Sequence, residues 1–538
     1  MKGKAVTTGL LLGALTSMPV ALVTYAADAA AGLPFVPFVL FDFLVRVLPG
    51  FILVPSIGLM AKTLLAFHVA SLSAAAKTAE QTMALVVFVV ASAVTGAILA
   101  AAARALKRVR PAGQGALIGV LAAILYVAML YRVGFPPAGP LWSVVWLVAL
   151  FAAWWSLVGW QLGVTTLAQP ATAEQGAARN RAYHLWGTTA AALLSVLVAL
   201  AIALAPRPSP RPPTPVQPAK PLADASSSQP VPSPETAVPA RIEPAPGTRP
   251  EITDTKDFYR IDIDTLPPRV DAAKWRLEVA GLVEHPMTLS LDDIRSRAGV
   301  SQYATMSCIS NPVGGPLIST GLWTGVPLMS ILNEAGIKPD AIGVAVSAVD
   351  GYYETVSAKD MNDPRTLLVY NLNNEPLSHE QGFPLRLFIP GHYGMKQPKW
   401  ITRIEAIGSD GTGYWVDRGW DRDAFVQTTS AIDTVATKKP DPKTGAIPIG
   451  GIAYAGDRGI SKVEVQIDSG PWVEAKLRAP ALSPLTWVQW RYDWPPGATG
   501  RHSVRVRAYD GAGAMQTPQQ HDEFPAGATG YHEVEFRL

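Results

Sequence analysis

The chain holds a single cysteine, Cys308, within Tyr303-Ala-Thr-Met-Ser-Cys308-Ile-Ser-Asn311-Pro-Val-Gly-Gly315. A thiolate is a soft, strong ligand for a transition metal. One thiolate alone does not hold a bare ion, because zinc and iron–sulfur clusters take about four ligands. It can complete the coordination of a metal already carried by an organic cofactor. A lone cysteine is also commonly buried as a small hydrophobe, and these residues by themselves leave both readings open. One cysteine excludes an intramolecular disulfide framework and leaves the redox compartment undecided.

Two further stretches accompany the cysteine: Trp323-Thr-Gly-Val-Pro-Leu328, and Gly382-Phe-Pro-Leu-Arg386-Leu-Phe-Ile-Pro390-Gly-His-Tyr-Gly394-Met-Lys-Gln-Pro-Lys399-Trp400. With Ser307-Cys308-Ile-Ser-Asn311, their order and spacing resemble the sulfite oxidase family of molybdopterin oxidoreductases over about residues 251–538. The resemblance implies that Cys308 ligates molybdenum, with further sulfurs from the dithiolene of the pterin. It implies that Arg386, Lys399, Gln397, Pro398 and Gln381 contact the cofactor, Gln381 standing where relatives carry His or Asn. It also assigns Tyr259 and Arg260, in Asp257-Phe-Tyr259-Arg260, to a segment that covers the pterin. A phosphate-bearing, hydrogen-bonding ring system needs cations and backbone amides in a fixed loop. Arg386 and Lys399 suit that need, and Gly391 and Gly394 allow close backbone approach. Read without the family, the residues leave two readings open: a binding set, or an ordinary strand cation at Arg386 with surface charges at Lys399 and Arg260.

The chain departs from the family beside the metal. Sulfite oxidases keep cations just after the cysteine to hold an oxyanion, where this chain has Pro312 and Val313. Their catalytic tyrosine aligns with Trp420 in Tyr414-Trp-Val-Asp-Arg-Gly-Trp420, and an indole has no phenolic proton to give. The expectation is therefore two-electron oxygen-atom transfer, or related redox chemistry, on a small extracytoplasmic substrate other than sulfite. Sulfoxides, oxidised methionine and small oxo compounds are the candidates. The expected cofactor is molybdopterin with molybdenum and no haem, since a lone cysteine excludes Cys-x-x-Cys-His and His68 and His184 are the only histidines of the first half. Electrons then pass to a separate carrier or a quinone. The competing readings are an extracellular binding or scaffold protein with a degenerate pterin site, and a transporter or sensor with an accessory outer domain.

These residues need elements to position them. The first 205 residues are rich in Ala, Leu and Val, and segments 5–27, 83–103, 115–131, 141–163 and 185–205 each approach or exceed the length that crosses a hydrocarbon layer of roughly 30 Å. Residues 34–72 are apolar but broken by Pro37, Asp42, Arg46, Pro49, Pro55 and Lys62, and are read as lying on or dipping into the membrane. On a helix Asp42 and Arg46 share a face and are expected to pair. Placing Lys2, Lys4, the Arg104–Arg110 cluster, Arg179 and Arg181 on the cytoplasmic side gives five crossings. The remaining chain then lies outside the cytoplasm, as part of a multi-pass protein of the cell membrane. Residues 206–250 are rich in Pro, Ala and Ser and read as an extended linker. The net charge of +3 on 538 residues gives no reason to expect nucleic acid.

The soluble half divides in two. Residues 251–436 mix strand and helix signals: a strand at Trp275–Ala280, a helix start capped by Ser290, a helix over Val326–Ala335 stopped by Gly336, and strands at Thr366–Tyr370 and Pro384–Ile389. They predict an α+β domain, which the resemblance identifies with the molybdopterin-binding domain. Beyond a polar hinge, Lys438–Lys443, residues 440–538 alternate with period two and carry turns at Asp468-Ser-Gly-Pro and Asp510-Gly511. They predict an all-β sandwich of immunoglobulin type, with Trp472, Trp487, Trp490 and Trp494 in the core. The resemblance implies a homodimer formed through this domain.

Overall fold

The structure, a computed structural model, describes residues 2–50, 72–105, 111–136, 138–163, 241–495 and 499–538. The chain forms two compact units, Met1–Phe41 with Met83–Ala240, and Asp42–Thr82 with Arg241–Leu538.

The helices are α1 (Lys2–Ala31), α2 (Val36–Val47), α3 (Leu72–Ala105), α4 (Pro111–Val133) and α5 (Gly139–Leu162). Ala5–Ala31, Lys77–Ala103, Pro111–Val133 and Gly139–Leu162 are long and apolar enough to cross a membrane. Glycines let their backbones meet. A β-carbon on Gly9, Gly13 or Gly96 would fall 2.1–2.4 Å from a carbonyl oxygen across the α1–α3 contact, and one on Gly115, Gly119 or Gly159 1.9–2.2 Å from one across α4–α5. Without a hydrophobic drive in lipid, close packing of small residues is what holds such helices together. The hydroxyls of Ser92, Thr95, Ser143 and Ser156 donate to the carbonyl four residues earlier, and Trp154 Nε1 donates to Thr16 Oγ1 at 2.8 Å. These polar groups are thus paired internally, as an apolar solvent favours. The expected crossing at 185–205 lies outside the described residues, as do His68, His184 and most of the Arg104–Arg110 cluster. The helix α2 has 12 residues, about 18 Å at 1.5 Å per residue, too short to cross. Residues 51–71 lie outside the described residues. Asp42 and Arg46 do not pair with each other: Asp42 accepts from Thr265, and Arg46 pairs with Asp264.

The first domain of the second unit carries two sheets. One has the order β2-β1-β10-β5-β6, from Met287–Leu289, Leu277–Gly281, Ile401–Ile407, Gly343–Ala348 and Tyr353–Ser357. The other has the order β3-β4-β7-β8, from Val300–Ser307, Ile318–Pro327, Leu367–Leu372 and Glu375–Pro376, with β9 (Arg386–Phe388) paired to β7. Leu277, Val279, Val326, Leu328, Ile331, Val344, Val346, Leu368, Leu387 and Ile404 form its buried apolar core. Ser290 closes a capping box with Asp293, and the helix Leu328–Glu334 ends before Gly336, whose φ of +67° a glycine adopts freely.

The second domain packs β11-β12-β16-β15 (Thr429–Val435, Ile447–Tyr454, Val488–Trp494, Lys476–Leu477) with β14-β13-β17-β18 (Trp472–Glu474, Ile460–Ile467, Arg501–Asp510, His532–Arg537). Val463, Val465, Trp490, Val504, Val506 and Ala508 fill the interior. The polar Lys438–Lys443 stretch is the turn between β11 and β12, so the sandwich begins before the expected hinge. Trp472 and Trp494 are only half-buried, and Trp487 packs with Ile309, Ile318 and Trp420, where the sandwich meets the first domain. Of the segment read as linker, residues 206–240 lie outside the described residues. Residues 241–250 lie along the sandwich, held by the Arg249–Asp433 pair and by Arg478 donating to the Ile242 carbonyl at 2.6 Å.

Candidate active site

Strands β3 and β4 pair up to Ser307 opposite Ile318, which makes residues 308–317 the loop at the end of the hairpin. That loop is bonded shut. The Cys308 amide donates to the Leu317 carbonyl at 2.9 Å, the Asn311 amide to the Cys308 carbonyl at 3.1 Å, and the Leu317 amide to Asn311 Oδ1 at 2.8 Å. Cys308 is buried, with its Sγ 3.0 Å from Ser310 Oγ. Burial pushes the thiol up, and the hydrogen bond with Ser310 pulls it partly back. Burial thus favours the neutral thiol in the bare site, and a metal cation is the kind of partner that deprotonates such a group.

Cys308 opens on a cleft whose empty space, its open mouth included, is about 860 Å³. Of the residues predicted from sequence, Cys308, Tyr259, Gln381, Arg386, Gln397, Pro398 and Lys399 all line it. Arg386 enters from β9, in register with Val369 of β7. Its guanidinium meets only neutral acceptors: the Gln381 carbonyl at 3.1 Å, Gln381 Oε1 at 3.3 Å, Met306 Sδ at 3.1 Å and the Gln397 carbonyl at 3.5 Å. It also lies over the Trp323 ring, 5.1 Å from the centroid. Burial pushes this guanidinium down to about 10, which leaves it charged at neutral pH. Among the described residues no carboxylate pairs with it, and its Nε has no partner. Gln397 donates through Nε2 to the His392 carbonyl at 3.0 Å, while its Oε1 is likewise buried without a partner.

Lys399 pairs with Asp262 and donates to the Glu380 carbonyl at 3.0 Å. Burial, and then the nearby Arg260 and Lys77 cations, hold its ammonium well below the usual lysine range. Arg260 does not line the cleft. Asp262, whose side chain is fully buried, takes Arg260 on one side and Lys399 on the other. The neighbouring Lys396 points the other way, into a separate polar cavity, and pairs with Glu354 at 2.6 Å. Glycines shape the cradle. A β-carbon on Gly394 would fall 2.5 Å from the Tyr259 hydroxyl, and one on Gly382, whose φ is +107°, would press on Lys399 and Arg386.

The remaining lining includes groups that the sequence did not single out: Met306, Ile309, Ser310, Asp350, Tyr352, Met395, Trp400 and Trp415. Asp350 is buried, accepts from the Tyr352 amide at 3.0 Å, and is raised to about 7 by burial and then by the Asp264 carboxylate. Its only sequence signal is an Asp-Gly pair, which reads as a turn. Trp420 also lines the cleft, its buried Nε1 without a partner and its ring edge-on to Phe524 at 5.3 Å. Pro312 and Val313 do not line it; the wall next to Cys308 is Ile309 and Ser310.

Residues 264–415 match the oxidoreductase molybdopterin-binding domain. An uncharacterized oxidoreductase of Bacillus subtilis, YuiH, is 32% identical over 166 residues, which cover 31% of this chain and 82% of that protein. Sulfite oxidase of Drosophila melanogaster is 27% identical over 301 residues, 46% of this chain and 52% of that enzyme. The chain belongs to the sulfite oxidase family of molybdopterin-dependent oxidoreductases. A putative protein-methionine-sulfoxide reductase subunit of Azospira oryzae, YedZ1, is 32% identical over 151 residues, 28% of this chain and 56% of that protein. This family member thus spans only about half the length of the last two relatives. The residues present fit the family's cofactor. A buried cation without a counter-ion, an unpartnered amide oxygen, a thiol and glycine-made clearances converge on one cleft, and an anionic, hydrogen-bonding ligand with a thiol-seeking metal answers all of them.

Proposed function

We propose that this protein is a membrane-bound molybdenum oxidoreductase, facing outside the cytoplasm, that removes an oxygen atom from a small neutral oxo compound of the sulfoxide class. When bound, the molybdenum cofactor supplies two-electron redox chemistry at a metal that exchanges an oxygen atom. Arg386, Gln397, Gln381, Lys399, Tyr259 and Pro398 hold it, and Cys308 is the protein's thiolate to the metal. Asp350 sits in the same cleft and offers its carboxyl to hydrogen-bond donors of the ligand. The reaction class consumes two electrons and two protons and releases the oxygen as water. A separate carrier or a membrane quinol is the source of the electrons.

The observation that carries the substrate assignment is the charge and donor set of the cleft. Its lining cations are Arg386 and Lys399, and its lining carboxylates are Asp262 and Asp350. With Lys399 engaged by Asp262 and Arg386 turned to the cofactor, no lining cation is left for an anionic substrate. Burying an unpaired dianion is costly. The rest of the lining includes Ile309, Met395 and Trp415, and the unpartnered Trp420 indole N–H is a neutral donor among them. That set suits an S=O oxygen, which accepts one hydrogen bond without bringing a charge. The resemblance to a protein named for methionine sulfoxide supports the same class. The test is a substrate panel on detergent-solubilised, cofactor-loaded protein with a dye electron donor or acceptor. Sulfoxide reduction with negligible sulfite oxidation is expected. Sulfite turnover at a rate typical of enzymes, on the order of 1–1000 per second, would overturn the substrate assignment.

A further inference from the structure

One rim of the cleft is a strand-less stretch. Tyr259, Ile261, Asp262 and Ile263 line the cavity, and the chain then runs through Asp264 and Thr265 without joining a sheet. From Ile261 to Val270 this rim makes no hydrogen bond to another backbone group among the described residues. Its backbone is held instead by side chains from far earlier in the sequence. The Thr265 amide donates to Asp42 Oδ1 at 2.9 Å, and the Thr265 hydroxyl donates to the same oxygen. Lys77 Nζ donates to the Asp264 carbonyl at 2.6 Å and pairs with Glu80 at 2.8 Å. Arg46 forms an ion pair with the Asp264 carboxylate, the two side chains 10% and 14% exposed. Asp42, Lys77 and Thr265 are themselves buried. Arg46 is fixed in turn from behind, where Arg418 donates to its carbonyl at 2.9 Å.

A segment without ladder hydrogen bonds opens locally unless other contacts hold it. Here those contacts are charge-assisted and shielded from water, the conditions under which they are strong. They are also placed just after Asp262, the residue that holds Lys399 at the cleft wall. We propose that Asp42, Arg46 and Lys77 form a strap that locks the 261–265 rim shut over the cofactor, so that retention of the cofactor depends on residues outside the molybdopterin-binding domain. Asp42, Arg46 and Lys77 are positioning residues: they act through the rim and touch no ligand. The inference rests on the reading that the cleft holds the pterin.

The experiment uses the full-length protein in detergent micelles, with Arg46→Ala, Arg46→Asp, Asp264→Arg and the charge-exchanged double variant Arg46→Asp/Asp264→Arg. Amide exchange of the peptides spanning 259–270 is followed by mass spectrometry, and molybdenum and pterin contents are measured before and after prolonged dialysis. Each single variant is expected to speed exchange of the rim by about tenfold or more, with exchange in the sandwich unchanged, and to lose cofactor on dialysis. The double variant is expected to recover both, which a merely structural loss of packing would not do. Unchanged rim exchange in the single variants, or no recovery in the exchanged pair, overturns the strap. Wild-type protein that contains neither molybdenum nor pterin when made in a cofactor-producing host overturns the cofactor reading, whatever the exchange data show.

Discussion

Replacing Arg386 by methionine should leave the stability of the cofactor-free protein nearly unchanged and lower that of the cofactor-loaded protein. In the free protein the guanidinium is buried, 3% exposed, against neutral acceptors. A fall from 12.5 to about 10 corresponds to roughly 3 kcal/mol of desolvation at neutral pH. The sign follows from linkage. A base whose folded pKa lies below its unfolded value weakens folding at every pH below the folded value, and the penalty fades as pH rises through about 10. Methionine removes that penalty but also removes hydrogen bonds to Gln381, Met306 and Gln397, each worth about 1 kcal/mol or less at these distances. The two nearly cancel, so the free variant should melt within a few degrees of wild type. If the cleft holds the anionic cofactor as proposed, the unpartnered Nε–H and a terminal N–H would gain an anionic partner in the loaded protein. Two charge-assisted bonds at about 1.5–3 kcal/mol each predict a loss of roughly 3–6 kcal/mol, or about 10² to 10⁴ in cofactor affinity. Differential scanning calorimetry on both forms, with pterin fluorescence and metal analysis on the loaded one, measures the difference. Equal destabilisation of the two forms would refute the argument and make Arg386 a structural cation of β9.

Changing Cys308 to Ser replaces a soft sulfur with a hard, poorly ionised hydroxyl. Molybdenum X-ray absorption should then lose one sulfur scatterer at about 2.4 Å, near a metal–thiolate bond length, and an unchanged sulfur shell in metal-loaded variant would leave Cys308 a core cysteine. For topology, the basic cluster ending at Arg110 is expected in the cytoplasm and the linker outside. Reporter fusions at Pro111 and at Pro215 should accordingly report opposite sides, and the same side for both would sink the five-crossing arrangement.

What the sequence revealed and what it hid separate by the distance over which the deciding contact acts. Ser290 caps its helix through Asp293, three residues on, and Gly336 stops the helix Leu328–Glu334 through its own φ, so both were readable locally. Period-two alternation over residues 440–538 predicted the sandwich whose core Val463, Val465, Val504 and Val506 fill, because register repeats every second residue. Lys438–Lys443 failed on the same logic: a polar, proline-bearing stretch looks alike whether it joins two domains or two paired strands, and only the β11–β12 register decides. Charge pairing acts at still longer range. Asp42 and Arg46 stand where a helix lets them pair, yet Thr265 and Asp264, more than 200 positions away, take them instead. Arg260 and Lys399 are equally basic in sequence, and one buried carboxylate, Asp262, places Lys399 at the cleft and Arg260 behind it. Asp350 was missed because an Asp-Gly pair signals only a turn, whereas the packing of that turn brings its carboxyl into the cleft. That the cleft gathers Arg386 and Lys399 with Asp262 and Asp350 is therefore a tertiary property. It gives the departure at Trp420 a meaning in charge under the proposed function: a cleft whose two lining cations are both engaged would disfavour an oxyanion.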